Sequence, residues 1–348
     1  MPGLIAENVE KLAPYTPGEQ PRRAGVVKLN TNENPYPPSP ECAKALRSFD
    51  PSRLRLYPDP VFLALRKKIA QIHRTVPARI FVGNGSDEIL ALAAKAFSWE
   101  GRKIGSLDPS YSLYKTMAAI RGVEWTGDSR DRDLSLFLWT NPNAPTGRFA
   151  EPEEIAAFAK KFKGVVIVDE AYADFARGDA MKLATAPGNR NVIAMRTFSK
   201  SYSLAGLRVG YCVGPEKLVA ALYKIKDSYN VDAIAQAVAL AALSDRRWMK
   251  ANAAKIRRTR RLFSIELERR GWDVVPSEAN FVFAKPPAAM SARDLYAALR
   301  DRDVFVRYFP GPATGDRLRI TIGLDVEMEK LLAEMDSIFR KKNERRKR

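Results

Sequence analysis

The chain has 348 residues, of which 46% are hydrophobic and 28% charged, and its formal net charge is +18 at pH 7. This composition is that of a globular protein, and the length suits one large or two ordinary domains. One histidine, His73, and two widely separated cysteines exclude a histidine-based catalytic triad, a multi-histidine metal site and a disulfide framework. We therefore expect no bound metal, and acid–base chemistry must use Lys, Tyr or carboxylate side chains.

The positive charge is dispersed in short pairs such as Arg246-Arg247 and in a basic tail after Arg340. Because no helix-turn-helix segment or aromatic-interleaved basic motif accompanies it, we expect a solvated surface and no nucleic-acid partner. The sequence has no uncharged apolar run of about 18 residues and no basic-then-apolar export signal in residues 1–11. We therefore predict no membrane contact and a cytoplasmic location.

Residues 1–29 are rich in Pro, Gly and charged side chains and predict an extended N-terminal arm. Between residues 30 and 242, short apolar runs alternate with segments of helical periodicity. The predicted strands are residues 104–107, 134–139, 165–168, 192–196 and 209–213. The predicted helices are residues 87–97, 152–162 and 215–225. This alternation predicts a large α/β domain with a mostly parallel sheet between helices.

Residues 243–348 have a different pattern, which predicts a smaller α+β domain. A long basic helix is expected over residues 246–269 and a second helix over 291–300, followed by a final helix at the end of the chain. The strand-like segments are residues 281–284, 304–308 and 318–322.

The segment with the clearest chemistry is R-T-F-S-K-S-Y-S-L-A-G-L-R-V-G, which contains Lys200 and, eight positions later, Arg208. A lysine that follows a strand among small hydroxyl residues suits an amine that attacks a carbonyl beside a bound phosphate. The pattern resembles the cofactor-lysine motif of fold-type I aminotransferases, which use pyridoxal 5'-phosphate. By this resemblance, Lys200 is the catalytic lysine that holds the cofactor, and Thr197, Ser199 and Arg208 are cofactor-binding residues.

The apolar run V-V-I-V ends at Asp169, and Tyr172 follows three residues later. A carboxylate beside a pyridine nitrogen keeps that nitrogen protonated, which makes the ring an electron sink. The resemblance assigns this catalytic role to Asp169. It also implies that Tyr172 donates a hydrogen bond to the phenolate oxygen of the cofactor.

The segment T-N-P-N-A-P-T-G resembles the Asn-Pro-Thr-Gly turn of the same enzymes, whose asparagine also bonds the phenolate oxygen. The sequence departs from the commonest form, because Ala144 stands directly before Pro145. Only Asn143 or Asn141 can then supply the amide, and we assign Asn143.

The segment G-N-G-S-D-E precedes a predicted helix, with Ser86 or Asp87 as the N-cap. Free backbone N–H groups and the positive end of a helix suit a phosphate. Together with Ser199 and Arg208, we expect Gly85, Ser86 and Asp87 to form the third wall of a phosphate-binding cup.

Two tyrosines have further roles that only the resemblance implies. Tyr111, within P-S-Y, matches the residue that stacks on the cofactor ring. Tyr57, within R-L-Y-P-D-P, matches a residue that reaches the cofactor phosphate of the neighbouring subunit. The second match predicts a homodimer whose active sites are complete only when two subunits associate.

Three further segments resemble histidinol-phosphate aminotransferases in particular: L-A-P-Y-T-P-G, L-N-T-N-E-N-P and L-R-I-T-I-G. By that resemblance, Tyr15, Asn34, Arg307 and Arg319 line the substrate side of the pocket. A guanidinium group has a planar fork of donors that suits either a carboxylate or a phosphate.

The implied reaction is amino-group transfer from L-histidinol phosphate to 2-oxoglutarate in histidine biosynthesis. Lys200 would release the cofactor to the substrate amine and then move a proton as the catalytic base. The same site could instead transaminate aromatic amino acids or decarboxylate a phosphorylated amino acid such as threonine phosphate. A non-enzymatic basic binding protein is the alternative from a different class, and it would leave Lys200 and Asp169 without a role.

Overall fold

The computed structural model describes residues 3–13, 18–21, 23 and 25–347. Tyr15, which we predict on the substrate side, lies outside the described residues. No helix in the described part combines the length and the apolar character that a membrane crossing needs.

Strands and helices alternate through most of the described chain. The strands are β1 (Val27–Lys28), β2 (Ile80–Gly83), β3 (Lys103–Ser106), β4 (Trp125–Thr126), β5 (Leu134–Thr140), β6 (Val165–Asp169), β7 (Val192–Thr197), β8 (Gly210–Val213), β9 (Asp273–Val275), β10 (Phe281–Lys285), β11 (Val304–Phe305), β12 (Arg307–Tyr308) and β13 (Leu318–Thr321). The α-helices are α1 (Glu7–Glu10), α2 (Pro40–Arg47), α3 (Leu63–His73), α4 (Gly85–Phe97), α5 (Leu113–Arg121), α6 (Pro152–Lys161), α7 (Met181–Thr185), α8 (Glu216–Ile225), α9 (Ala233–Ser244), α10 (Arg246–Arg269), α11 (Ala292–Arg300) and α12 (Asp325–Lys347).

The largest sheet within the described residues has seven strands in the order β2-β8-β7-β6-β5-β3-β4. The five strands β4, β3, β5, β6 and β7 run parallel to one another. Strand β8 is antiparallel to both of its neighbours, β7 and β2. Every residue of β5 and β7 is buried, as expected for strands covered on both faces. The prediction of a mostly parallel sheet between helices is confirmed. Strands β2 and β4 were not predicted, and the two residues of β4 are too few to show a period.

The direction of the parallel strands determines where a site can form. Strands β5, β6 and β7 are neighbours that end at Thr140, Asp169 and Thr197, and Thr140 is the register partner of Asp169. Polar residues that follow these strands therefore meet at one edge of the sheet. In open parallel sheets, that edge is where ligands bind.

Helix α4 brings its N-terminus to the same edge. It follows β2 after one residue and packs against β7 and β8. Its apolar face is fully buried, including Ile89, Leu90 and Ala93, and each such buried Ile or Leu stabilises the fold by about 1.5–3 kcal/mol. This packing fixes the direction in which the first-turn N–H groups of α4 point.

A second sheet, antiparallel in the order β12-β13-β10-β9, packs with helices α10, α11 and α12. Strand β1 pairs in parallel with β11. The predicted single strand 304–308 is therefore two strands. Residues Val304 and Phe305 pair with β1, whereas Arg307 and Tyr308 pair with β13 in the antiparallel sheet.

We propose that the chain divides near residue 242, as the sequence predicts. Two separate hydrophobic cores support this division: α9 contributes Val238 and Ala242 to a core shared with β2 and β8, whereas α10 contributes Met249 and Ile256 to the core of the antiparallel sheet. The predicted arm is not independent of the smaller unit, since its residue Val27 packs in that second core.

Candidate active site

One cavity of about 450 Å³ opens between the large sheet and the antiparallel sheet. Loops that follow β3, β5, β6 and β7 line it, together with residues after β1 and residues of β12 and β13. The predicted site residues that line this cavity are Ser86, Asp87, Tyr111, Asp169, Tyr172, Thr197, Ser199, Lys200, Arg208, Arg307 and Arg319. The fold thus brings together predicted site residues that lie more than two hundred positions apart in the chain, such as Ser86 and Arg319.

Lys200 follows β7 and is half-buried in the cavity, where its Nζ donates a hydrogen bond to the Thr31 carbonyl oxygen at 3.1 Å. Burial lowers the pKa of Lys200 to about 8, since a buried site disfavours the charged amine, and the nearby Arg319 lowers it further. Glu33 and Asp87 act in the opposite direction. A lysine in this environment is more readily neutral, as a nucleophile or a base must be.

Asn34 holds the backbone of Lys200 in place. Its amide Nδ2 donates to the carbonyl oxygens of Lys200 and Ser201 at 3.0 and 3.2 Å, and its Oδ1 accepts from the Tyr36 N–H at 3.0 Å. We predicted Asn34 on the substrate side, but it does not line the cavity. Its amide is already used to brace the loop that carries Lys200.

Asp169, at the end of β6, is buried and accepts two hydrogen bonds. The Tyr114 hydroxyl donates to its Oδ2 at 2.8 Å, and the Ala171 N–H donates to its Oδ1 at 3.1 Å. Burial nevertheless raises the pKa of Asp169 to about 6. A cation placed beside this carboxylate would be stabilised by it and would lower its pKa.

Tyr114 was not among the predicted site residues. It is fully buried, and its hydroxyl also lies 2.6 Å from Thr140 Oγ1. The available signal was its position in sequence, because Tyr114 lies three residues after Tyr111, which we predicted to stack on the cofactor ring.

Tyr172 is also buried, with its ring edge-on to Phe281 at 5.1 Å. Its hydroxyl oxygen lies 2.9 Å from Asn32 Nδ2. Burial raises the pKa of Tyr172, so the hydroxyl keeps its proton at neutral pH and can donate it.

The predicted phosphate cup lies where α4 begins. The Arg208 guanidinium donates to Asp87 Oδ2 at 3.3 Å, and Thr197 Oγ1 accepts from the Ser199 N–H at 3.1 Å. Gly85 does not line the cavity, but it allows the close approach: its φ is +77°, and a Cβ there would lie 2.6 Å from Arg208 Nη2. A helix N-terminus, hydroxyl groups and a guanidinium form a set of donors that fits a phosphate.

The asparagine predicted to contact the cofactor does not line the cavity. The Oδ1 of Asn143 accepts from the Thr146 hydroxyl at 2.9 Å, within its own turn. The amide of Asn141 pairs with the backbone of Ala150, at 2.8 and 3.0 Å. Both side chains stabilise the loop, and Ala144 lines the cavity instead.

Arg307 and Arg319 are register partners on the antiparallel strands β12 and β13. Both line the cavity, and both guanidinium groups lie over the ring of Phe309, at 5.3 and 5.1 Å from its centroid. Arg319 also donates to the Asn30 carbonyl oxygen at 2.9 Å. Like charges directly opposite each other on neighbouring strands repel, so an anion between them would be favoured.

The two remaining predicted tyrosines lie in different places. Tyr111 lines the cavity, and its ring stands edge-on to that of Tyr114. Tyr57 is 80% exposed and lies outside the cavity, where its ring stacks on Tyr229 with 4.2 Å between centroids.

Several cavity residues were not singled out from the sequence, among them Ser110, Thr140 and Phe309. Ser110 lies in the loop that follows β3, and Thr140 is the last residue of β5. Their positions at the ends of parallel strands were the signal that could have identified them. Phe309 carried no such signal, since an aromatic residue after a strand is usually part of the core.

Comparison with known proteins identifies the family of the chain. The family model described as aminotransferase class I and II matches residues 24–335. Histidinol-phosphate aminotransferase from Geobacter sp. (strain M21) is 43% identical over 337 residues, which cover 93% of this chain and 95% of that protein. Histidinol-phosphate aminotransferase 2 from Rhizobium meliloti (strain 1021) is 44% identical over 354 residues, which cover 97% and 100%.

A solved structure extends the comparison to three dimensions. The crystal structure of histidinol-phosphate aminotransferase from Sinorhizobium meliloti, in complex with pyridoxal-5'-phosphate, has a TM-score of 0.88 and is 27% identical. The match covers 97% of this chain and 98% of that one. The chain therefore belongs to the class I and II aminotransferase family. The predicted resemblance to histidinol-phosphate aminotransferases and the predicted fold-type I architecture are both confirmed.

Proposed function

We propose that this protein is a pyridoxal-phosphate-dependent aminotransferase that converts L-histidinol phosphate and 2-oxoglutarate to imidazole acetol phosphate and L-glutamate. This reaction belongs to histidine biosynthesis, and we place it in the cytoplasm. The observation that carries the proposal is the pair Arg307 and Arg319, which lines the same cavity as Lys200. The names of the full-length relatives support the same substrate.

The residues of the cavity fit the cofactor. Lys200 supplies an amine whose pKa is lowered, and Asp169 supplies a buried carboxylate that a protonated ring nitrogen would stabilise. Tyr172 offers a hydroxyl donor, and Ser199 and Arg208 contribute to an anion-binding cup. When bound, pyridoxal 5'-phosphate supplies a protonated ring that withdraws electrons from the substrate carbon.

The protein's own part of the reaction is to position groups and move protons. Lys200 Nζ would hold the cofactor until the substrate amine displaces it, and the freed amine would then carry the proton from the substrate carbon to a carbon of the cofactor. The low pKa of Lys200 suits this role, because the free amine must be neutral to accept a proton. Asp169 would supply the negative charge that keeps a ring nitrogen protonated.

The two half-reactions present different anions to one pocket. Histidinol phosphate carries a phosphate, and 2-oxoglutarate carries carboxylates. The planar forks of Arg307 and Arg319 can pair with either group through two parallel hydrogen bonds. The side-by-side guanidinium groups thus offer one site for both substrates.

Three other functions remain candidates, with less support. Aromatic transamination and decarboxylation of threonine phosphate would use the same cofactor residues and differ only in the contacts to substrate. A non-enzymatic basic binding protein would have no use for a buried Asp169 carboxylate in the same cavity as a lysine of lowered pKa.

Histidinol phosphate should be used at least about a hundredfold better than histidinol. Charge-assisted bonds to a desolvated arginine contribute about 1.5–3 kcal/mol each, and about 1.4 kcal/mol corresponds to a factor of ten in rate. The measurement is kcat/KM for histidinol phosphate, histidinol, phenylalanine and threonine phosphate, with 2-oxoglutarate as acceptor. The matched variant Arg319→Lys should weaken both half-reactions, because an ammonium group keeps the charge but loses the fork.

Other outcomes of this panel would reassign the enzyme. A higher kcat/KM for phenylalanine would place it with aromatic aminotransferases, and carbon dioxide release from threonine phosphate would make it a decarboxylase.

We also propose that the enzyme is a homodimer in which Tyr57 completes the active site of the other subunit. The exposed stack of Tyr57 on Tyr229 supports this, as do the neighbouring exposed side chains Leu54 and Leu56. Exposed apolar patches of this kind are typical of contact surfaces.

If Tyr57 acts across the interface, a mixture of two impaired variants should regain activity. Lys200→Ala and Tyr57→Ala subunits, unfolded and refolded together, would form heterodimers with one intact site. The activity of the mixture should exceed the sum of the separately refolded variants. An activity equal to that sum, or a fully active monomer by sedimentation analysis, would contradict the proposal.

A further inference from the structure

We infer that Asn32 is a positioning residue that directs the hydroxyl proton of Tyr172 into the active-site cavity, toward the phenolate oxygen of the cofactor. The inference rests on the proposed cofactor but not on the identity of the substrate. It concerns a residue between β1 and α2, far in sequence from the loops that carry Lys200 and Asp169.

The hydrogen bonds around Asn32 determine which way its amide faces. Its backbone N–H donates to Thr321 Oγ1 at 3.0 Å, so the Thr321 hydroxyl accepts there. The Thr321 hydroxyl in turn donates its own proton to Asn32 Oδ1, also at 3.0 Å. The amide oxygen therefore faces Thr321, and the amide Nδ2 faces the hydroxyl of Tyr172 at 2.9 Å.

This orientation decides how Tyr172 uses its proton. An amide nitrogen can only donate, so the Tyr172 oxygen must accept from Asn32. The single O–H of Tyr172 is then left to donate elsewhere. Since Tyr172 lines the cavity together with Lys200, the proton points where the cofactor binds.

The backbone of Asn32 is held as firmly as its side chain. Its φ of +55° lies in the left-handed region, which asparagine tolerates better than most residues. Its carbonyl oxygen accepts from Asn280 Nδ2 at 3.0 Å, and the residue is 1% exposed. Contacts to Thr321 and Asn280 therefore tie the orientation of Tyr172 to the antiparallel sheet.

Tyr172 matters because the loop after β5 offers no obvious donor for the phenolate oxygen. Ala144 lines the cavity but has no polar side chain, the amide of Asn141 pairs with its own loop, and the amide Nδ2 of Asn143 already donates to Ser110 Oγ at 3.4 Å. Among the described residues, we therefore assign Tyr172 as the hydrogen-bond donor to the phenolate oxygen. A donor stabilises the oxygen most when its charge is fully negative.

Removing the Asn32 side chain should raise the pH midpoint at which the absorption of the Lys200-bound cofactor changes. Deprotonation leaves the full negative charge on the phenolate oxygen, so a weakened donor disfavours it. For Tyr172→Phe we expect a rise of about one pH unit, the size of one hydrogen bond to a charged group. Asn32→Gly, which tolerates the positive φ, should give a smaller rise in the same direction.

The double variant Asn32→Gly/Tyr172→Phe distinguishes positioning from a general loss of structure. If Asn32 acts through Tyr172, the double variant should have the midpoint of Tyr172→Phe alone, because the two changes are coupled. Thermal unfolding would be followed in parallel. A merely structural role of Asn32 would lower the unfolding temperature without moving the spectroscopic midpoint.

Thr321 provides an independent pair of variants, which also serve if Asn32→Gly does not fold. Thr321→Val removes the hydroxyl that orients the amide and should raise the midpoint, whereas Thr321→Ser keeps the hydroxyl and should leave it unchanged. An unchanged midpoint in a cofactor-loaded Asn32→Gly or Thr321→Val protein would overturn the inference, as would additive shifts in the double variant. A wild-type protein that takes up no pyridoxal phosphate would overturn the proposed function as well.

Discussion

Lys200→Ala should end covalent attachment of the cofactor and lower kcat by about 10²- to 10⁴-fold through the lost proton transfer alone. The amine is the group that bonds the cofactor and moves the proton, and alanine supplies neither function. The fold should remain, since the side chain is only half-buried and, among the described residues, its Nζ bonds one carbonyl oxygen, that of Thr31. The cup formed by Ser86, Ser199 and Arg208 should still bind the cofactor without a covalent link.

The measurements are the absorption spectrum after removal of free cofactor, turnover with histidinol phosphate, and thermal unfolding. Lys200→Arg is the matched control, because it keeps a positive charge in the cavity but no primary amine. It should be as inactive as the alanine variant. An alanine variant with the wild-type absorption spectrum would remove Lys200 from its proposed role.

The residues at strand ends were predictable because of a geometric rule. Asp169 ends an apolar run and Lys200 comes three residues after the neighbouring strand, and the carboxyl ends of neighbouring parallel strands meet at one edge. The position of these residues relative to predicted strands was therefore enough to predict that they lie in one site. Strands β4 and β9 escaped prediction, because two or three residues have no distinctive period.

The contacts that tune the site were not predictable in the same way. Tyr114 bonds Asp169 across 55 positions, and Asn32 bonds Tyr172 across 140 positions. Such pairs depend on how helices and sheets pack, which no local pattern records. Asn34 illustrates the limit, since its motif was recognised but its amide braces the Lys200 backbone.

Asp169→Asn should lower kcat by about 10²- to 10³-fold, as expected when one preorganised charge that stabilises a transition state is removed. Asparagine has nearly the same shape and can still accept from the Tyr114 hydroxyl, but it cannot hold a neighbouring ring nitrogen protonated. The effect should fall on kcat more than on KM or on the affinity for the cofactor, because the ring proton matters most when negative charge develops on the substrate carbon.

Stability without the cofactor gives a second readout with the opposite sign. Burial raises the folded-state pKa of Asp169 from 3.8 to about 6, so ionisation of the carboxylate destabilises the fold once the pH exceeds the unfolded-state value of 3.8. The loss in free energy of unfolding grows between about pH 4 and 6, as the linkage of ionisation to folding requires. Above that range it amounts to roughly 2–3 kcal/mol, because each pKa unit corresponds to about 1.4 kcal/mol. The cofactor-free Asp169→Asn variant should therefore unfold at a higher temperature than the cofactor-free wild type at pH 7, and this difference should shrink toward pH 4.

The measurements are calorimetry of both cofactor-free proteins at pH 7 and pH 4, and kcat of both cofactor-loaded enzymes. Wild-type kcat in the asparagine variant would exclude Asp169 from the mechanism, and a lower unfolding temperature at pH 7 would show that the carboxylate is structural rather than held in place for the cofactor.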